Sequence, residues 1–262
     1  MLPLAGSEFP ATLEYFTSAL RDGLTVRGFT PRDVRAHGDW PQIDELTVDL
    51  TNASATRHTR LARAARDHQS GPTIKQLTIT GAPVFFETLP LRFDLRVLDA
   101  ECGFARDTAA GLVLEPIGAA SGSLLIEAQR ADLTAALKSL ATAALVKQGA
   151  EIKSATLEFI ALSPRSLDFR AEVSAKVFVM TARIAVAGKL DVDDRLNLRL
   201  RDLSVSGDGM IASIATSYLR PKFAEIEKTI IPLDAFSFAG VKARDVRLSG
   251  GDSLRLEAEF GS

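Results

Sequence analysis

The sequence predicts an α+β fold in which a long antiparallel β-sheet is covered by long helices. Apolar and polar residues alternate through most of the stretch from Ser166 to Val205, as they do in strands with one buried and one solvated face. Two further stretches, 132–148 and 210–230, carry apolar residues at helical spacing. Runs of strands interrupted by only a few helices favour α+β over a doubly wound parallel sheet.

The composition excludes several classes of protein. The chain has 262 residues, of which 46% are hydrophobic and 24% are charged, and its formal net charge is -2. No run approaches the roughly 18 apolar residues of a transmembrane helix. A nucleic-acid-binding protein would normally carry a strong basic excess, so we expect no nucleic-acid partner. Cys102 is the only cysteine, which excludes an intrachain disulfide.

The N-terminal residues predict one helix, at 9–24, where Pro10 suits a first helical position. The segment Gly6-Ser7-Glu8-Phe9 resembles a cloning remnant, and residues 1–9 are therefore set apart as vector-derived or flexible, with a native N-terminus as the alternative. We expect no signal peptide in this chain. No shift of composition marks a linker, so residues 10–262 are predicted to form a single domain.

Short elements follow the first helix. Glycine and proline residues predict irregular structure at 27–41, and alternation predicts a strand at 43–50. Residues 55–68 predict a short, arginine-rich helix. Residues 73–126 are rich in strand patterns, with a bend at Gly81-Ala82-Pro83.

The second half of the chain predicts a meander of unusually long strands. After a strand at 152–162, apolar residues hold every odd position from Leu167 to Val179 and move to even positions from Ala182. The phase of the alternation changes near Thr181, Gly188, Asp193-Asp194 and Asp202. The helices predicted at 132–148 and 210–230, the second kinked by its proline, would cover the apolar face of this sheet.

The residues that usually carry catalysis or metal binding are scattered in this sequence. His37, His58 and His68 do not have the spacing of zinc ligands. Cys102 lies in a strand-rich region and is more typical of a buried, inert thiol than of a nucleophile. We therefore expect no catalytic residue, no metal and no cofactor.

The segment Gly122–Leu137, GSLLIEAQRADLTAAL, is a strand that leads through Ala131-Asp132-Leu133 into a helix. This arrangement resembles the bacterial LmeA-like phospholipid-binding family, in which an acidic residue and a leucine open a long helix after a strand. The turn Gly207-Asp208-Gly209 and the closing hairpin at 240–260 are also similar to that family. The resemblance covers residues 13–260.

The resemblance implies a tubular lipid-binding fold, in which a highly curved antiparallel sheet wraps around long helices and leaves an elongated apolar channel. It implies non-enzymatic binding of a phospholipid or another acyl-chain lipid, for carriage or presentation at a bacterial membrane. The expected partners are that lipid and the surface of an anionic membrane. The expected compartment is the periplasm or cell envelope if a leader is removed, and otherwise the cytoplasm or the periphery of the inner membrane.

Two sets of residues are candidates for lipid contact. Ten apolar residues could line the channel or, alternatively, fill a solid core. They are Leu133, Leu137, Leu140, Val177, Val179, Ile184, Val186, Ile214, Phe223 and Ile226. Four arginines of the short helix could contact anionic headgroups, or form an ordinary solvated helix face. They are Arg57, Arg60, Arg63 and Arg66.

Two other functions stay open. A chain of the same fold whose interior is filled by its own side chains would be a structural or adaptor protein. An enzyme of the helix-grip type, in which a sheet holds a long helix around a pocket, would need convergent polar groups inside. The inward positions of the predicted strands contain almost none.

Overall fold

Strands make up most of this chain. The structure is a computed structural model, and it describes residues 1–55, 69–107, 111–145, 150–177, 180–208, 223–232 and 243–261. In chain order the elements are β1 (Leu2–Leu4), α1 (Leu13–Val26), β2 (Asp33–Asp39), β3 (Gln42–Asp49), β4 (Ser54–Ala55), β5 (Gln69–Phe86), β6 (Leu89–Asp107), β7 (Gly111–Gly118), β8 (Ser121–Gln129), α2 (Arg130–Leu145), β9 (Ala150–Ser163), β10 (Ser166–Val177), β11 (Met180–Val192), β12 (Asn197–Gly207), β13 (Ile230–Pro232), β14 (Ala243–Ser249) and β15 (Ser253–Gly261). Residues 223–228 are helical as well.

The predicted architecture, a long and highly curved sheet wrapped around long helices, is wrong. Strands hold 66% and helices 16% of the described residues, which contain three short helices. The helix predicted at 210–230 is described only from residue 223, and Ile230 already belongs to β13. A helix buries only one stripe of its side chains, whereas a strand can bury a whole face. Most of the described core residues lie on strands, so long helices are not needed to cover the sheets.

The first predicted helix is present as α1, but it begins at Leu13, so Pro10 does not occupy its first position. Thr12 caps its N-terminus, because the Thr12 hydroxyl accepts a hydrogen bond from the amide of Tyr15 at 3.2 Å. Phe16 and Leu20 lie on its buried stripe and are fully enclosed. The helix therefore contributes large apolar side chains to the core at the predicted spacing.

Strand β1 is held by both a strand and a helix. It pairs antiparallel with β7, and its Leu2 and Leu4 are buried. The amide of Ala5 donates a hydrogen bond to the carbonyl of Ala19 in α1 at 2.7 Å. A Cβ on Gly23 of α1 would lie 2.8 Å from the Cα of Leu4, so the glycine allows the two backbones to touch. Residues 2–4 thus belong to the sheet.

Ten strands form one mixed sheet. Its main order is β14-β15-β8-β6-β5-β3-β2, with β7 beside β6, β1 beside β7 and β4 beside β5. Strands β3 and β4 run parallel to β5, so the sheet is not wholly antiparallel as predicted. Its core contains cross-strand pairs such as Leu46 opposite Leu77 and Val48 opposite Ile79, all buried.

The predicted meander is confirmed within a five-stranded antiparallel sheet of order β13-β12-β11-β10-β9. Strands β10 and β11 have 12 and 13 residues and pair from Ser166 opposite Asp191 to Val177 opposite Met180. Strands of this length are about twice the usual one. Strand β11 runs through Thr181 and Gly188 without a shift of register to β10, so the breaks predicted there are wrong.

A β-bulge in β12 explains the predicted change of phase near Asp202. The register of β11 with β12 shifts between Ala187 and Lys189, and Asp202 adopts a positive φ of 54°. Leu200 precedes the bulge and Leu203 follows it, at odd spacing. The extra residue returns the apolar side chains of β12 to one face of the sheet.

The chain divides into two compact units. Unit 1 comprises residues 1–127, 236–245 and 257–262, and unit 2 comprises residues 128–235 and 246–256. The boundaries fall inside strands β8, β14 and β15. The prediction of a single domain at 10–262 stays a prediction.

Unit 1 contains a cluster of four aromatic rings. The ring centroid of Phe104 lies 5.5 Å from that of Phe9 and 6.4 Å from that of Trp40. Trp40, the only tryptophan of the chain, lies 5.5 Å from Phe16. The guanidinium of Arg106 lies 5.3 Å from the Phe9 ring centroid. Such contacts each contribute about 1 kcal/mol beyond simple burial.

Cys102 is expected to be unreactive in the native protein. The thiol is free and buried, as predicted, and burial raises the pKa of Cys102 to about 12. Because the thiolate is the nucleophile, the native thiol should react with an aromatic disulfide reagent roughly a thousandfold more slowly than the unfolded chain at about pH 8. Stopped-flow absorbance with and without denaturant measures this ratio. Equal rates would contradict the burial.

Candidate functional site

One face of the five-stranded sheet is apolar from β9 to β12. Two rows of residues cross it in register: Leu157–Ala171–Val186–Val205, and Phe159–Phe169–Gly188 with Leu203 beside the glycine. We call these eight residues the apolar band. Four strands span about 14 Å at the usual separation. The band contains no charged or hydrogen-bonding side chain, so it suits a ligand that is itself apolar.

The apolar band is only half-buried, although both ends of the same face are buried. Ala175, Ala182 and Ile184 are buried at one end, and Leu167 and Val192 at the other. Every member of the band except Gly188 is half-buried. The apolar surface that stays partly open makes the band a candidate interaction site.

Gly188 lies at the centre of the apolar band. A Cβ at this position would lie 2.6 Å from Cδ2 of Leu203 and 2.9 Å from the ring of Phe169. The two side chains therefore lie against the bare backbone of β11. Any larger residue at position 188 would displace them.

A tight turn closes the band next to β9. The turn between β14 and β15 brings Gly250 so near that a Cβ there would lie 2.6 Å from Cβ of Phe159. The side chains of Arg130 and Asp252 form an ion pair of 2.8 Å, and the amide of Arg130 donates to the carbonyl of Asp252 at 2.9 Å. These contacts fix the start of α2 to the same turn.

Helix α2 packs beside β9 without burying any of its described side chains. The side chains at 130–143 are all half-buried or exposed, and Leu140 is 71% exposed. Leu133 and Leu137 are half-buried. The helix therefore leaves much of its apolar stripe open.

The opposite face of the five-stranded sheet carries charged side chains together with Ile160, which is 61% exposed. A shallow groove of about 420 Å³ is lined by five charged residues and by Ile160, Phe169, Ala187 and Gly188. The ammonium of Lys189 lies 3.8 Å from the carboxylate of Asp202, a long and exposed ion pair. Such pairs contribute little to stability, and the groove has the character of a solvated sheet face.

Asp193 organises the turn between β11 and β12, at the edge of the same sheet. Its carboxylate accepts hydrogen bonds from the amides of Asn197 and Arg195, both at 2.9 Å, and lies 3.1 Å from the guanidinium of Arg199. The hydrogen bonds from Asn197, followed by that from Arg195 and the charge of Arg199, hold the pKa of Asp193 below its usual value. The turn is therefore stabilised by the ionised carboxylate.

Asp193→Asn is expected to flatten the acid limb of the stability profile. Because the folded-state pKa of Asp193 is lowered, its contribution is fully present above the unfolded value of about 3.9 and is lost as the pH falls through the folded value. Urea denaturation from neutral to acid pH measures the slope in both proteins. Identical slopes would show that this carboxylate is not linked to folding.

The structure places the predicted lipid-contact residues in several settings. Ile184 and Val186 lie on the apolar face of β11, and Leu133, Leu137 and Leu140 lie on α2. Phe223 is half-buried and Ile226 is 40% exposed, both in the helical residues 223–228. The backbone of Val177 belongs to β10. Val179, Ile214, Arg57, Arg60, Arg63 and Arg66 lie outside the described residues.

Comparison of this chain with known proteins found no relative. No protein-family model, curated protein or solved structure matches this chain. The resemblance to the LmeA-like family therefore stays a prediction. Among the described residues, no three His, Cys, Asp or Glu side chains are grouped so that they could hold a metal ion. Nor is any helix in that part of the chain long and apolar enough to cross a membrane.

Most of the apolar band was not among the predicted lining residues. Val186 was, whereas Phe159, Phe169 and Leu203 were not. Each of the three occupies the apolar phase of its strand, so the alternation contained the signal. Their meeting in one row depends on the strand register and on the bulge in β12, which the alternation does not specify.

Proposed function

We propose that the chain binds an acyl-chain lipid such as a phospholipid on the apolar band, without catalysing a reaction. The half-buried, uncharged band across β9 to β12 carries this proposal. The proposed role is carriage or presentation of that lipid at a bacterial membrane, in line with the family resemblance. The lipid would lie on a sheet face rather than in a tube of long helices.

The proposed contact gives a modest gross hydrophobic gain. A fully buried methylene gains about 0.8 kcal/mol, and a chain that lies on an open face loses about half of its exposure to water. A chain of about 16 carbons would then gain roughly 6 kcal/mol before the costs of ordering. The open stripe of α2, which includes Leu140, offers additional apolar surface in the same unit.

The decisive experiment is the identification of bound lipid. Native mass spectrometry of the purified protein, followed by organic extraction, should detect an acyl-chain lipid in stoichiometric amount. Titration of the delipidated protein with a fluorescent fatty-acyl probe should then saturate. A protein that contains no lipid and does not bind the probe would contradict the proposal and favour an adaptor role.

A further inference from the structure

The tip of the β5–β6 hairpin is an apolar segment without a buried residue. Residues 82–91, APVFFETLPL, are called the hairpin tip here; eight of the ten are apolar. All ten are half-buried or exposed, and Phe86 is 45% exposed. Glu87 at the turn has a positive φ of 55° and is engaged by another group. Two phenylalanines and a leucine therefore flank a two-residue turn that has a single charged side chain.

The backbone of the hairpin tip is held firmly in unit 1. Strand β4 runs parallel to it, and the amide of Phe85 donates to the carbonyl of Ala53 at 2.8 Å. The amide of Glu87 donates to the carbonyl of Ala55 at 2.7 Å. Strand β8 pairs with β6 only from Arg92 onward, so it leaves the tip uncovered. The open apolar side chains are thus presented on an ordered scaffold.

The segment that follows β4 in the sequence is strongly cationic. Ala55 lies opposite Phe86, and the thirteen residues that follow it in sequence, 56–68, contain four arginines and one aspartate. The chain as a whole has a net charge of -2, so this cationic charge is local.

We propose that the hairpin tip docks the protein on an anionic lipid bilayer. An exposed phenylalanine side chain such as that of Phe86 inserts at the boundary of headgroups and acyl chains, while a cationic segment such as the one that follows β4 in the sequence attracts anionic lipid. A protein partner would need a complementary cavity for the two-residue turn, whereas a bilayer accepts it without one. The docking site consists of residues 82–91 only, and it is distinct from the apolar band of unit 2.

Vesicle binding tests the proposal. The wild-type protein should co-sediment with phosphatidylcholine vesicles that contain phosphatidylglycerol, and much less with phosphatidylcholine alone or at high salt. Phe86→Ser should weaken this binding about tenfold, because the variant has no aromatic ring to bury in the bilayer at this position. Leu98→Ser is the matched control, since Leu98 is 46% exposed on β6 but outside the tip. It should bind as the wild type does.

The outcomes separate this inference from the proposed function. Phe86→Ser should lose vesicle binding and still bind the fluorescent acyl probe, provided that circular dichroism shows an unchanged fold. Vesicle binding that is absent in the wild type, unaffected by Phe86→Ser, or equally weakened by Leu98→Ser overturns the docking site. Sedimentation velocity tests whether a second copy of the chain binds the tip instead. If the wild type is a dimer and Phe86→Ser is a monomer, the tip is a dimer contact and the proposal is overturned.

Discussion

Val186→Glu is expected to weaken binding of the acyl probe at least tenfold, which corresponds to about 1.4 kcal/mol. Val186 lies in the apolar band between Ala171 and Val205. An ionised carboxylate at this position would have to lose its hydration when the lipid covers the band, and the band offers no donor to replace the water. Val186 is half-buried, so a glutamate there can still reach solvent in the free protein and the sheet should fold. Fluorescence titration of the delipidated variant measures the effect.

Ala187→Glu is the matched control for this charge. Ala187 follows Val186 in β11, is also half-buried, and faces the polar side of the sheet, because successive side chains of a strand point to opposite faces. The same charge on the same strand should therefore leave probe binding unchanged. If the two variants bind the probe equally well, the lipid does not lie on the apolar band.

Gly23→Ala is expected to destabilise the protein by about 2 kcal/mol or more. In an open helix this change would stabilise by about 1 kcal/mol through helix propensity. Here the new Cβ would lie 2.6 Å from the carbonyl carbon of Pro3 and 2.8 Å from the Cα of Leu4. Backbone atoms cannot rotate away, so β1 must move and expose part of Leu2 and Leu4, which are buried. Chemical denaturation measures the change in the free energy of unfolding.

Gly28→Ala separates this clash from the general cost of replacing a glycine. Gly28 follows α1 with a positive φ of 85°, and a Cβ there would meet no atom within 4 Å. Its replacement should cost only the strain of the left-handed backbone, about 1 kcal/mol. A loss in Gly23→Ala no larger than that in Gly28→Ala would show that α1 and β1 are not in backbone contact.

The meander was predictable because its two faces differ so strongly in polarity. From Leu167 onward the apolar residues keep one phase along β10, and β11 repeats the pattern from Ala182. Period-two alternation over a dozen residues is compatible with a strand and with little else. The changes of phase were also informative, since the one near Asp202 is the bulge in β12.

The balance between helix and sheet was not predictable from the same pattern. Residues 210–230 have apolar residues at helical spacing, yet Ile230 pairs with β12 in a strand. Strand β2, at Asp33–Asp39, was predicted as irregular because glycine and proline residues interrupt 27–41, and the strand buries only Val34. In both cases pairing with a neighbouring strand decides the structure, and the local sequence carries little of that information.

The hairpin tip shows the same limit. The residues Gly81-Ala82-Pro83 predicted a bend between two strands, whereas β5 continues through them with a shift of register to β6. A shift of register lets one long strand carry Phe85 and Phe86 beyond the end of β8. These side chains extend beyond β8 because β5 is longer than its glycine and proline residues predicted.

The aromatic cluster around Trp40 makes one spectroscopic signal specific to one part of the molecule. Trp40 is the only tryptophan and belongs to unit 1, in contact with Phe16 and Phe104. Its fluorescence therefore follows the melting of unit 1, whereas far-ultraviolet circular dichroism sums the strands of both units. Transitions that coincide in the two signals would mean that the chain melts as one cooperative unit, and transitions that separate would mean two.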